Sequence, residues 1–337
     1  RVNVQLKGDI QGGAYDGKAY LKTISAPDSD GIVKEESVVL HDTIIGDNGL
    51  VDIGVSYGAV TVSAVTVGAM ATLNIEITDG AIALEDIDNN GTVTAKSALG
   101  DATIADINNT QTGNINVKTD AGNIDVENIT SAGILTVKTS SGAIDMDNVY
   151  NSGAFTVASA DGGITAAVIV NTSTGAIYME STDGDVAIGP FSSDGILTIK
   201  TTNGGFYWVD EDSVLNLGTN TNEDETWFDI DGDIGKADQV FKINIEKDPD
   251  GNLQTLNIRK ADDIYLTQIT GIPETIPGLD TEGRDSEGVV EDHDEAIGDL
   301  SAEDEAVNVE KTPEELAAQL TAPGALTASS SADKSPI

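Results

Sequence analysis

"GNIDVENITSAGILTVKTSSGAIDMDNV", residues 122–149, decides the fold because it nearly repeats itself. "GNIDVENI" (122–129) returns twenty residues later as "GAIDMDNV" (142–149), with a different phrase, "GILTVKTSS" (133–141), between them. Outward from this stretch, a unit Gly-x-h-x-h (h apolar) recurs with glycines at 80, 91, 100, 113, 122, 133, 142, 153, 162, 175, 184, 195 and 204. Alternate glycines stand 20 or 22 residues apart, six times running. A fixed period of this length is the mark of a solenoid.

The apolar positions keep the same time. Ile82, Val93, Ala102, Ile115, Ile124, Leu135, Ile144, Phe155, Ile164, Ile177, Val186, Leu197 and Phe206 stand two residues after a glycine. Two further on stand residues such as Leu84, Ile104, Val126, Val137, Met146, Ile199 and Trp208. Alternation with period two predicts strands with one buried face. A third apolar column appears once per period, at Ile87, Ile107, Ile129, Val149 and Phe191. Gly, Asp, Asn, Ser and Thr fill the corners, as tight turns require. Three inward stretches in about twenty residues describe one coil of a parallel β-helix, stacked on the next at about 4.8 Å. No coil buries its own inner face, so stability comes from neighbours. Thr119, Thr139, Ser159, Ser181 and Thr201 share one position, and Lys118, Lys138, Ala158, Glu180 and Lys200 share the one before it. Stacked lysines repel, so the second column is expected to face solvent.

Composition bounds the function. The chain has 337 residues, 4% aromatics, 36 glycines and no cysteine, which removes disulfides and thiolate metal sites. A net charge of −41 repels nucleic acid and anionic membranes and attracts divalent cations. No apolar run is long enough to span a bilayer. Arg1, without an initiator Met or a signal-peptide pattern, reads as a piece of a longer chain.

Four segments are expected. Residues 1–48 read as irregular N-terminal coils continuing from a longer chain, and 49–208 as the regular β-helix. Residues 209–276 read as a cap containing an antiparallel hairpin, "DQVFKINIEKDPDGNLQTLNIRK" (238–260), turning at Pro249-Asp250-Gly251. The aromatic group Phe206, Tyr207, Trp208, Trp227 and Phe228 lies where a solenoid end needs cover, and is expected to finish the core rather than stack sugars. Residues 277–337 read as an acidic, disordered tail with a short helix over 313–320.

Few residues invite chemistry. His41 and His293 are the only histidines, which excludes a His-based triad and multi-histidine metal sites. Asp125, Asp145 and Asp185 recur near the repeat period, as surface decoration does, so no catalytic residue and no enzymatic activity is expected. Asp229, Asp231 and Asp233 in "DIDGDIG" alternate as hard oxygen ligands, and calcium is the ion they would suit. They depart from an EF-hand loop, with Gly232 misplaced and Val240 at position twelve. "DPDGN" (Asp248, Asp250, Asn252) is equally partial. No other cofactor is expected, and no nucleotide motif is present.

The phrases "SAGILTVKT" (131–139), "NSGAFTVAS" (151–159) and "SDGILTIKT" (193–201) resemble the central repeats of filamentous-haemagglutinin-type adhesins. They are also similar to adhesin-like β-solenoid domains in general. The resemblance covers about residues 49–208 and lies in period and glycine placement. It implies a right-handed parallel β-helix and a structural or adhesive role in a large extracellular bacterial surface or fibre-forming protein. The partners it implies are surface glycans or proteins of host or neighbouring cells, or copies of the chain itself in a fibre. It carries over no site residue, since such repeats are scaffold. Two other classes compete: a carbohydrate-active β-helix, such as a polysaccharide lyase or tailspike, and an ice-binding solenoid. The second wants two Thr columns on a flat face, and only one Thr/Ser column is legible.

Overall fold

In the computed structural model, residues 2–10, 18–23, 36–110, 112–172, 175–211, 213–218, 225–245, 255–259 and 261–268 are described. The described residues form 24 strands, and every pairing between them is parallel. The chain is a β-solenoid, as the period predicts.

Each coil has three sides. In the coil that starts at Thr92, the first side is Thr92–Leu99, and the strand Ala102–Asn109 makes the second and third. That strand bends at Asp106, whose φ of 51° is left-handed. Asp42, Ala64, Asp86 and Asn128 hold the equivalent corner on other coils with φ of 46–53°. Asp and Asn tolerate this conformation better than most residues, so the corner needs no glycine.

The inner columns run in strict register. On the first side, Val51, Leu73, Val93, Ile115, Leu135, Phe155, Ile177 and Leu197 stack. On the second side, Val38, Val60, Ile82, Ala102, Ile124, Ile144, Ile164, Val186 and Phe206 do so. Every residue assigned inward from the sequence is buried, Phe155, Phe191 and Phe206 included. Burying a Val, Leu or Ile side chain stabilises by about 1.5–3 kcal/mol, which is the term that holds coil on coil.

Glycine is required where coils touch. A Cβ on Gly122 would penetrate the Gly100 carbonyl, and one on Gly142, at φ 151°, would penetrate that of Gly122. The Gly122 carbonyl also accepts hydrogen bonds from the Thr119 and Thr139 hydroxyls at 2.8 and 2.9 Å. Between Gly80 and Gly204 the two 22-residue coils carry their extra residues at another corner, between the third side and the next first side. There Asn109 to Gly113 and Asn171 to Gly175 are two residues longer than Asn89 to Gly91. The register is untouched.

Two expectations are corrected. The regular ladder does not stop at Trp208: Phe206 continues to Ile234 and Ile264, and Trp227 pairs with Asn257. The spacing between equivalent residues there varies from 24 to 30, which hides the repeat from a fixed-period reading. The antiparallel hairpin over 238–260 is also not formed. Phe241–Ile245 lies between Leu215–Leu217 and Leu266–Gln268, whereas Thr255–Arg259 pairs with Glu225–Asp229. With its edges already used, Phe241–Ile245 has none to offer Thr255–Arg259. The turn at 249–251, the tail over 277–337 and the helix over 313–320 lie outside the described residues. Toward the N-terminus, Val2–Ile10 pairs with Glu36–Ile45, so coiling extends into the irregular region.

Candidate functional site

The residues singled out for chemistry do not converge. Asp125 and Asp145 are register partners on the second side, with Thr103 below and Thr165 above. Asp185 belongs to a different column. Its neighbour Val186 pairs with Ile164, and its Oδ1 accepts the Gly205 amide at 2.8 Å. The same bond is made by Asp101 to the Asn123 amide and by Asn123 to the Ala143 amide, so Asp185 fastens one coil to the next. Equal spacing in sequence placed it one column out because the coils are 20 and 22 residues long.

The three aspartates of "DIDGDIG" take three different places. Asp229 is buried at the end of a first-side strand, and Asp231 is exposed with its amide on the Thr201 hydroxyl. The Asp233 carboxylate accepts the Asp263 amide at 3.2 Å. Among the described residues no three His, Asp or Glu side chains come together as a metal site, these included. His41 sits half-exposed between the Ser63 hydroxyl at 2.9 Å and the Asp42 carboxylate at 3.3 Å.

The aromatic group finishes the core. Trp208 stacks on Phe241 at 4.0 Å and 8°, and Phe206 meets Phe228 edge-on at 5.0 Å. Tyr207 faces outward under the Lys236 ammonium, 4.4 Å from its ring. Burial, with Asp185 and Asp233 adding to it, pushes the Tyr207 phenol above its usual range.

A buried polar ladder escaped the sequence reading. Asn89, Asn109, Ser131, Asn151, Asn171 and Ser193 line the corner after the third side. Asn89 Nδ2 donates to Asn109 Oδ1 at 2.8 Å, Asn109 Nδ2 to Ser131 Oγ at 3.0 Å, and Asn171 Nδ2 to Ser193 Oγ at 3.1 Å. The signal was present: Asn or Ser always stands two residues after the third-column apolar residue. A second buried column, Ser97, Thr119, Thr139, Ser159, Ser181 and Thr201, binds the corner glycine carbonyls.

The outer surface of the first side is where charge is ordered. Glu76, Lys96, Lys118, Lys138, Ala158, Glu180 and Lys200 form one continuous column. Lys118 lies 2.7 Å from Asp120, Lys200 2.9 Å from Glu180, and Lys96 4.0 Å from Glu76. The hydrogen bond from Lys118 holds the Asp120 carboxyl below its usual range, against a smaller opposing effect of desolvation. Lys138 has no carboxylate partner among the described residues. Beside the lysines run Thr94, Asn116, Thr136 and Thr156, and beyond those Thr92, Asn114, Ile134 and Ala154.

The sequence profile of a family described as Toastrack DUF4097 matches residues 41–224, more than half of the chain. No curated protein and no solved structure matches it.

Proposed function

The chain belongs to the Toastrack DUF4097 family, and from that premise we propose that it is a structural, adhesive β-solenoid displayed outside a bacterial cell. The observation that carries the reading is the absorption of polar side chains into the stack. Asp185, Asp233 and the inward Asn, Ser and Thr columns each bond to the backbone or to the equivalent residue one coil away. What such a stack offers a partner is a long rigid surface, with outward positions free to vary.

Absence of cysteine and a charge of −41 support an exposed, soluble stalk that keeps its shape through coil stacking alone. No described helix is long and apolar enough to cross a membrane. The partners of this reading are surface glycans or proteins, as in the adhesins whose repeats it resembles. The polysaccharide-cleaving alternative would rest on the carboxylate pair Asp125 and Asp145, which the ladder sets side by side. Protease treatment of intact cells making the protein tests the placement. Digestion without lysis is expected, and protection until the envelope is broken would overturn it.

A further inference from the structure

Between Lys34 and Lys236 the chain has only four lysine or arginine residues: Lys96, Lys118, Lys138 and Lys200. All four fall in one column of one side of the solenoid, and three occupy successive coils. The nine outward positions formed by Thr92, Thr94, Lys96 and their equivalents on the next two coils contain no carboxylate. The second and third sides, by contrast, carry Glu85, Asp86, Asp88, Asp106, Asp125, Glu127, Asp145 and Asp147. The lysines thus form one cationic stripe on an acidic protein, with Glu76, Asp120 and Glu180 as the carboxylates bonded to it on the same side.

Resting on the scaffold reading above, we propose that this side binds an extended acidic polysaccharide of the polyuronate class, lying along the solenoid axis over Lys96, Lys118 and Lys138. The lysines repeat at the inter-strand spacing of about 4.8 Å, comparable to one sugar of an extended polyuronate. A chain parallel to the axis thus presents about one carboxylate per coil. Lys138 has no carboxylate partner among the described residues, and the pair of Lys118 with Asp120 lies at the surface, where exchange for another carboxylate is cheap. The adjoining Thr94, Asn116 and Thr136 offer hydroxyls and amides to sugar hydroxyls. Nucleic acid fits less well: in a duplex the phosphate repeat is about 3.4 Å per strand, and for a single strand no aromatic residue stands on these three strands to stack a base. The field of the remaining acids is screened within about 8 Å at physiological salt.

The test is affinity electrophoresis of the full chain through gels containing polygalacturonate, with neutral dextran and single-stranded DNA gels as comparisons. Retardation by polygalacturonate alone is expected, weakening as salt rises. The triple variant Lys96→Gln, Lys118→Gln, Lys138→Gln should bind about tenfold more weakly. A charge-matched variant, Thr61→Glu, Ala187→Glu, Ser192→Glu, adds three negative charges on the other sides and should bind as the parent does. Far-ultraviolet circular dichroism of both variants confirms the fold. The proposal is overturned if the parent is not retarded, if DNA retards it equally, or if the two variants behave alike. Polymer length is measured after incubation. Shortened polygalacturonate would sink the scaffold reading, whereas an intact polymer that does not bind sinks only this inference.

Discussion

Val137 is the cleanest place to test the packing. It is fully buried, with Val117 directly below it and Val157 above, while its chain neighbours Thr136 and Lys138 face out. Val137→Ala removes two methyl groups from a stack that cannot close over the gap, costing roughly 2–3 kcal/mol. For a unit of this size that lowers the thermal midpoint by roughly 5–10 °C. Val137→Asp should cost more than about 4 kcal/mol, because a carboxylate there has no partner and no water. Thr136→Ala, one residue away, should stay within about 0.5 kcal/mol. Since a solenoid is held by nearest-neighbour contacts, hydrogen–deuterium exchange should show the loss concentrated in the coils carrying Val117, Val137 and Val157. If Thr136→Ala proves as costly as Val137→Ala, or protection is lost evenly along the chain, the inward register is wrong.

Gly122→Ala should lower the denaturation midpoint far more than an exposed Gly→Ala change would, because the new methyl meets the Gly100 carbonyl rather than solvent. Asn109→Ala leaves the buried Asn89 amide and Ser131 hydroxyl short of a partner and should cost roughly 1–3 kcal/mol, whereas Asn108→Ala at the surface should be nearly silent in the same urea titration. The Asp120 carboxyl, held low by Lys118, contributes its stabilisation above its unfolded pKa and loses it as pH falls through the folded one. Its NMR titration should therefore move upward in Lys118→Met, and a midpoint that does not move would show that the ion pair is not formed in solution. Two glycines inserted after Thr110 should leave the midpoint nearly unchanged, while the same insertion after Ser140 should unfold adjacent coils. Equal tolerance at both corners would contradict the glycine contact.

How much of this was legible follows from what repeats. Apolar columns recur in the sequence because each coil solves the same burial problem, so Ile124, Val126, Leu135 and Val137 could be placed without coordinates. The hydroxyl column at Thr119 and Thr139 was equally visible. The Asn89–Asn109–Ser131 ladder was missed because amide and hydroxyl residues are also ordinary turn formers, and only the structure separates a buried corner from an exposed one. Asp185 was misplaced for a simpler reason: a two-residue insertion at the Asn171–Gly175 corner shifts every later count. After Trp208 the insertions grow to about half a coil, and Phe241–Ile245 then looks like half of a local hairpin rather than the next step of a distant ladder.

The lysine column is not accounted for by the demands of folding. Inward positions are fixed by burial and corner positions by backbone contact, but outward positions of a solenoid answer to neither. Stability alone would favour alternating signs along a column, as in the pairs Glu76 with Lys96 and Glu180 with Lys200. Lys96, Lys118 and Lys138 depart from that pattern. Two unit charges about 5 Å apart in water repel by about 0.8 kcal/mol before screening, and the column repeats this twice. The chain has 58 acidic residues with which to relieve it, yet none occupies these nine outward positions. A run of three lysines that two flanking carboxylates, Glu76 and Asp120, only partly offset is what a surface retained for an anionic partner would carry.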